Sequence, residues 1–125
     1  MENRLTLVIL PGTYAVCRLP ADAGWPNWAA GDFVSITRTA DELSVVCIED
    51  VVPPDVRSER GWRCLRVAGT LDFGAVGVLA SLTGPLADAG ISLFAVSTYE
   101  TDYLLLPDRD SDRACAALRR HGHQL

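Results

Sequence analysis

The chain has 125 residues, 49% of them apolar, a formal net charge of -5 and no lysine. A chain of this length buries a hydrophobic core as one domain or as two very small units. The negative charge argues against nucleic acid or an anionic membrane as partner, because both attract clustered positive charge. The absence of lysine excludes a Schiff-base lysine, a lysine general base and the lysine of a phosphate-binding loop.

The cysteines and the apolar segments indicate the cellular compartment of the protein. Cysteines at positions 17, 47, 64 and 115 do not form the close pairs that a zinc site or a redox dithiol needs, so we interpret them as small buried side chains. The apolar run 5–10 ends at a Pro-Gly pair, too early for a signal peptide. The longest uncharged stretch, 73–87, is too short to span a membrane. We therefore expect a cytoplasmic protein.

The first half of the chain predicts mainly strands. Alternating apolar residues indicate strands at 5–9 and 13–19 that pair in a sheet. The segment 20–32 is rich in glycine and proline and leaves room for one helical turn, with its two tryptophans covering the sheet. Strands at 33–37 and 43–49 form a hairpin. A charged, turn-like segment from Asp55 to Gly61 is the predicted seam between the halves.

The second half begins with a predicted strand at 62–68. A helix follows, and we expect Asp72 to cap its start, Pro85 to kink it near Ser81 and Gly90 to end it. Strands at 91–98 and 103–106 then form a second hairpin. The chain closes with a helix over 110–122 that is acidic at its start and basic at its end, as the helix dipole favours.

An internal repeat relates the two halves. Residue 33 onwards aligns with residue 93 onwards at an offset of 60, which places Glu42 opposite Asp102. Upstream the offset falls to 50, so the first half lacks ten residues in its first helix. Each half then reads strand, helix, strand, strand, helix. This predicts an α+β fold of two ferredoxin-like βαββα units with antiparallel sheets, the first with a trimmed helix.

The segment 89–106 carries a more specific signal. Its Gly-Ile-Ser, followed by Ser-Thr-Tyr-Glu-Thr-Asp-Tyr at 97–103, resembles the ACT domains, in the branch of the CASTOR arginine sensors and the aspartate kinase regulatory domains. The resemblance covers 62–122 well and 13–60 weakly, because the first helix is short and the strand at 5–10 has no place in a standard ACT unit. It implies a free-standing tandem protein, with a degenerate ACT-like unit at 1–60 and an ACT domain at 61–125.

The resemblance also implies that an amino acid binds at a domain interface and that two such chains form a homodimer. The residues able to bind an amino acid are therefore the candidates for the site. A carboxylate needs donors such as those at a helix start, and an ammonium or guanidinium needs acidic acceptors. The predicted ligand-binding residues are Gly69, Thr70, Leu71, Asp72, Ile91, Ser92, Phe94, Ser97, Thr98, Glu100 and Asp102. Three of them are acidic, which favours a cationic ligand such as arginine.

Other interpretations of these residues stay open. Asp72 can be a simple helix cap, and acidic residues at a hairpin turn can serve solubility alone. A small enzyme using Asp72 and Asp102 as its acid-base pair, or a structural dimer with a decayed ligand site, would fit the same sequence. His121 and His123 lie at a predicted solvated helix end rather than in a metal site. The leading hypothesis is a non-catalytic amino-acid sensor that signals to an unknown downstream protein, without a cofactor.

Overall fold

A computed structural model describes residues 4–72 and 74–125 and shows a mixed α/β chain with antiparallel strand pairing, as predicted. The elements are β1 (Leu7–Ile9), β2 (Tyr14–Leu19), β3 (Ser35–Arg38), β4 (Leu43–Ile48), β5 (Arg57–Val67), α1 (Val78–Asp88), β6 (Phe94–Ser97), β7 (Asp102–Pro107) and α2 (Ser111–Arg120), with 3-10 helices at Glu49–Val51 and Asp108–Asp110. Two compact units emerge: 12–62, and 63–125 together with the segment up to Pro11.

The unit 12–62 is built on strands in the order β3, β4, β2 and the first part of β5. The predicted hairpin is present as β3 and β4, and β4 pairs with β2 along its whole length, from Tyr14 opposite Ile48 to Leu19 opposite Leu43. Strand β5 begins at Arg57, so the prediction that 57–61 is turn-like is wrong, although the boundary between the two units falls just after this segment, between Trp62 and Arg63. The polar and charged residues 57–59 pair with β2 through their backbone.

The trimmed helix of this unit is reduced to a loop: no α-helix occurs anywhere in 12–62, and a turn from Pro26 to Ala29 is all that remains of it. The Arg38 guanidinium donates to the carbonyl of Ala23 and so ties the loop to β3. Trp28 packs on the buried sheet residues, whereas Trp25 is 75% exposed. The prediction that both tryptophans cover the sheet is therefore wrong for Trp25.

The other unit has strands in the order β1, β5, β7 and β6. Strand β1 pairs antiparallel with the last part of β5, from Leu7 opposite Val67 to Ile9 opposite Leu65. The predicted strand that had no place in a standard ACT unit thus supplies the fourth strand of this sheet. Helices α1 and α2 pack with it around one apolar core, formed by Leu7, Leu65, Val67, Leu82, Leu86, Ile91, Leu104, Leu106, Ala114 and Leu118.

Helix α1 begins later than the sequence indicates. Its N-cap is Gly77, which has φ = 80°, a conformation that glycine adopts without strain. Asp72 is not the cap: its Oδ1 accepts a hydrogen bond from the Gly74 amide at 3.0 Å, inside the preceding loop. The spacing of apolar residues did not predict this boundary, because the Gly-Ala-Val-Gly sequence at 74–77 fits a loop as well as the first turn of a helix.

Pro85 lies inside α1 and removes the amide that would have bonded to the carbonyl of Ser81. That carbonyl instead lies 2.9 Å from Nε2 of His123. The other ring nitrogen, Nδ1, accepts a hydrogen bond from the amide of Leu5 at 3.1 Å, which makes Nε2 the protonated donor of a neutral ring. His123 is only 4% exposed, so the prediction that it lies at a solvated helix end is wrong.

Candidate functional site

A surface cleft of about 210 Å³ opens beside the start of α1 and the β6–β7 hairpin. Its walls come from the loop before α1, from the first residue of that helix and from the hairpin turn. The lining residues are Leu71, Asp72, Ala75, Val78, Ser97, Thr98, Tyr99, Glu100, Thr101 and Asp102. A second recess next to it is lined by Thr70, Leu71, Asp72 and Tyr99, so the two share one rim.

The hairpin turn is closed by its two threonines. The Thr98 amide donates to the carbonyl of Thr101 at 2.8 Å, and the Thr101 amide lies 3.3 Å from Oγ1 of Thr98. Hydroxyl groups that bond to nearby backbone favour such tight turns. The turn therefore holds Tyr99 and Glu100 at its tip, where Tyr99 is 78% exposed.

Three hydrogen bonds tie this turn to the end of β5 and to the segment that follows it. Thr70 donates from Oγ1 to Oε2 of Glu100 at 2.6 Å, and the Leu71 amide donates to the carbonyl of Glu100 at 2.7 Å. Thr101 donates from Oγ1 to the carbonyl of Val67 at 2.7 Å. Both sides of the cleft are thus held by direct bonds, and the position of Glu100 depends on both its side chain and its backbone.

The electrostatic character of the cleft is acidic. Asp72, Glu100 and Asp102 line it, and none of the lining residues that the structure describes is basic. Asp102 is 9% exposed, and its Oδ1 accepts a 2.6 Å hydrogen bond from the hydroxyl of Ser97, its register partner. Glu100 and Asp72 are exposed. The arrangement suits a cation better than an anion, because like charges around one space repel further negative charge.

The start of α1 offers the cleft a different group. Val78, the first helical residue, lines it, and within the described residues no side chain forms a capping hydrogen bond at Gly77. The first amides of a helix have no partner within the helix and form its partly positive end. Acidic side chains and backbone donors therefore border the same space, which is the pair of features that an amino acid requires.

The predicted residues divide into those that border this space and those that do not. Bordering it are Thr70, Leu71, Asp72, Ser97, Thr98, Glu100 and Asp102. Elsewhere lie the exposed Gly69 and Ser92, the half-buried Phe94 on β6, and Ile91, which is 4% exposed and belongs to the apolar core. The cleft is also lined by four residues that the sequence did not single out for binding: Ala75, Val78, Tyr99 and Thr101. Tyr99 and Thr101 lie within the hairpin sequence that resembles the family.

The remaining chemistry-bearing side chains lie away from the cleft. All four cysteines are buried and unpaired, as the sequence predicted for them. Burial raises the pKa of Cys17 to about 11 and that of Cys64 to about 12. Over 4–72 and 74–125, no group of three His, Cys, Asp or Glu side chains is placed to hold a metal ion. Neither helix of those segments is long and apolar enough to cross a membrane.

Comparison with protein families decides the identity of this fold. The family model described as the ACT domain matches residues 57–120, which is half of the chain, and the model of an N-terminal domain matches 12–55. The chain belongs to the ACT domain family. Its ACT match includes the whole cleft, from the loop before α1 to the hairpin turn, and the resemblance inferred from the hairpin sequence is confirmed.

Curated relatives come from the branch that the hairpin sequence indicated. The human protein named "Cytosolic arginine sensor for mTORC1 subunit 1" is 37% identical over 60 residues, which cover 47% of this chain and 18% of the relative. The mouse protein of that name is 31% identical over 96 residues, 70% of this chain and 29% of its own length. This ACT protein thus spans less than a third of the length of these relatives.

Solved structures extend the comparison to the whole fold. A crystal structure of a protein from Agrobacterium tumefaciens is 43% identical, with a TM-score of 0.94, and the match covers 99% of this chain and 93% of the other. The regulatory subunit of aspartate kinase from Thermus thermophilus matches with a TM-score of 0.63 at 10% identity, covering 92% and 96% of the two chains. At that identity the likeness concerns the fold alone.

Proposed function

We propose that this ACT protein is a non-catalytic regulatory module that binds a free cationic amino acid, with L-arginine as the first candidate. The observation that carries the proposal is the acidic cleft, where Asp72, Glu100 and Asp102 border one space together with the uncapped start of α1. The names of the curated relatives, which are arginine sensors, support the same choice of ligand. In this proposal the cleft belongs to the ACT domain at 61–125, to whose sheet β1 adds a strand, and the rest of 1–60 is the degenerate unit.

Each group of an amino acid has a partner of matching chemistry in the cleft. The ligand carboxylate is placed at the first amides of α1, next to Val78, where unpaired N–H groups and the helix dipole favour an anion. The ammonium is placed at Asp102, whose carboxylate keeps one oxygen beyond the bond to Ser97. The guanidinium is placed between Asp72 and Glu100, as a planar donor that can bond to both.

Such a ligand would act through the bond between Thr70 and Glu100. A guanidinium on Glu100 competes with the Thr70 hydroxyl for the same carboxylate, and the loop before α1 is tied to that carboxylate. Ligand binding would then favour one arrangement of this loop over another, which is the differential binding that regulation requires. An unknown downstream protein would recognise the favoured arrangement in the cytoplasm.

A second copy of the chain is proposed to complete the site. The cleft lies at the surface, and the hairpin tip beside it is exposed, so a second chain that packs on this tip would close the cleft. Light scattering coupled to size-exclusion chromatography would measure the oligomeric state with and without arginine. A monomer under both conditions would contradict the homodimer but not the binding of arginine by a single chain.

The ligand itself can be tested by thermal shift with a set of analogues. L-arginine should raise Tm, and at one hundred times Kd the added stability is about 2.7 kcal/mol, or several degrees for a chain of this size. L-citrulline lacks the charge of the guanidinium, and agmatine lacks the carboxylate, so each should give a smaller shift. No shift with any of the twenty amino acids at millimolar concentration would refute the proposal.

Two variants test whether the rise in Tm caused by arginine depends on the acidic residues of the cleft. Asp102→Asn keeps an acceptor for Ser97 and removes the charge, so it should weaken arginine binding by about tenfold without unfolding the protein. Asp88→Asn is the matched control, because Asp88 is an exposed acid at the far end of α1. Equal weakening in both variants would mean that net charge, and not the cleft, determines binding.

A further inference from the structure

A separate recess lies on the sheet of the unit 12–62. It has a volume of about 210 Å³ and is lined by Val16, Cys17, Arg18, Glu42, Ser44, Arg57, Ser58 and Glu59. No ACT-cleft residue contributes to it. It differs from the acidic cleft in its chemistry, because it combines two arginines with two glutamates and two serines.

The strand register explains why the charged side chains share one face. Arg18 of β2 is directly opposite Ser44 of β4 on one side and Arg57 of β5 on the other. Residues two apart on a strand point to the same face, which adds Glu59 beside Arg57. Glu42 lies just before β4 and lines the same recess as Ser44. One row across β4, β2 and β5 therefore holds Ser44, Arg18 and Arg57. Glu42 lies two residues before Ser44, and Glu59 lies two residues after Arg57.

Placing Arg18 directly opposite Arg57 is unfavourable without an anion, because like charges at facing positions of an antiparallel pair repel. Within the described segments, neither arginine forms an ion pair with any acidic side chain. Arg18 is held instead by a 2.9 Å hydrogen bond from its Nη2 to the carbonyl of Asp41. That bond uses one of its donors and fixes the side chain while leaving the other donors for a ligand.

We propose that this recess is a second ligand site, for a small zwitterion whose carboxylate lies between Arg18 and Arg57 and whose amine lies against Glu42 or Glu59. Two guanidiniums supply fork-shaped donors that match a carboxylate, and the flanking carboxylates supply acceptors for an ammonium. The volume limits the ligand to a small molecule. This site is independent of the arginine proposal, because all its residues lie in 12–62.

Amide chemical shifts of the full chain, measured by NMR, can test the site with three probes. L-alanine carries both charges, propionate lacks the amine, and inorganic phosphate is an anion of a different class. Alanine should shift amides of 16–18, 42–44 and 57–59, and propionate and phosphate should bind about tenfold more weakly, since each loses the contact with the glutamates. Shifts at 97–102 would report the acidic cleft and are scored separately.

Arg57→Gln removes one fork of the proposed carboxylate site and also the repulsion from Arg18. It should weaken alanine binding about tenfold while leaving Tm unchanged or higher in the absence of ligand. Arg109→Gln, which alters an exposed arginine of the other unit, is the control and should leave binding within about twofold. The proposal is overturned if alanine shifts none of the recess amides, if propionate or phosphate binds as tightly as alanine, or if Arg57→Gln leaves alanine binding intact.

Discussion

Replacing His123 with leucine tests how the end of the chain stabilises the ACT domain. His123 accepts the Leu5 amide on Nδ1 and donates from Nε2 to the carbonyl that Pro85 leaves without a helical partner, at Ser81. Leucine keeps a buried side chain of similar size but makes neither bond. The variant therefore isolates the two hydrogen bonds from the packing of the ring.

The expected loss follows from these bonds. Each contributes about 1 kcal/mol to the free energy of unfolding, because both backbone partners are only partly buried and water can replace some of the bond. The total of about 2 kcal/mol corresponds to a fall in Tm of about 8 °C for a chain of this length. Differential scanning calorimetry measures the fall directly.

A double-mutant cycle with Pro85→Ala tests whether His123 replaces the helical hydrogen bond that Pro85 removes, in addition to the size of the stability loss. Alanine at 85 restores the amide that bonds to the carbonyl of Ser81, so the bond from His123 to that carbonyl becomes redundant. His123→Leu should then cost about 1 kcal/mol less than it costs beside Pro85, a coupling well above the error of additivity. Equal losses of Tm in the two backgrounds would refute the idea that His123 replaces the missing helical bond.

Three further predictions concern the hairpin, a loop and the thiols. Thr101→Val should lower stability by about 1–2 kcal/mol in urea unfolding, because the carbonyl of Val67 loses its partner, whereas Thr39→Val at an exposed turn should cost less. Gly31→Ala should cost at least 1 kcal/mol, since φ is 127° and a Cβ would lie 3.2 Å from Ile48; a neutral result would contradict this backbone. The folded chain keeps the Cys17 proton to about pH 11, whereas an unfolded thiol loses its proton near pH 9.0. The urea midpoint should therefore fall as the pH rises over that interval.

The two hairpins were predictable because alternation and turn residues are local signals. Strands β3 and β4, and β6 and β7, lie within a few residues of their predicted bounds, and α2 begins one residue after Asp110. Strand β5 was harder to predict, since its first half is charged: residues 57–59 pair with β2 through their backbone, and polar side chains on an exposed face give no apolar alternation.

Other features depended on contacts that are distant in sequence. The start of α1 is set by Gly77 and by the bonds of Asp72 within its own loop, and the burial of His123 depends on a carbonyl 42 positions earlier. For the site, the acidic residues and the hairpin turn were predictable from the ACT-like sequence. The position of Ile91 was not, because an apolar side chain after Gly90 fits a pocket wall and a core equally well.

Isothermal titration calorimetry of L-arginine with the unmodified chain and with Glu100→Gln tests the central claim most directly. If the acidic cleft binds the guanidinium through Glu100, the unmodified chain should bind arginine, and Glu100→Gln should weaken the affinity by about tenfold while Asp88→Asn leaves it unchanged. Arginine binding that is absent, or that is equally tight in Glu100→Gln, would contradict the assignment of this cleft as the amino-acid site.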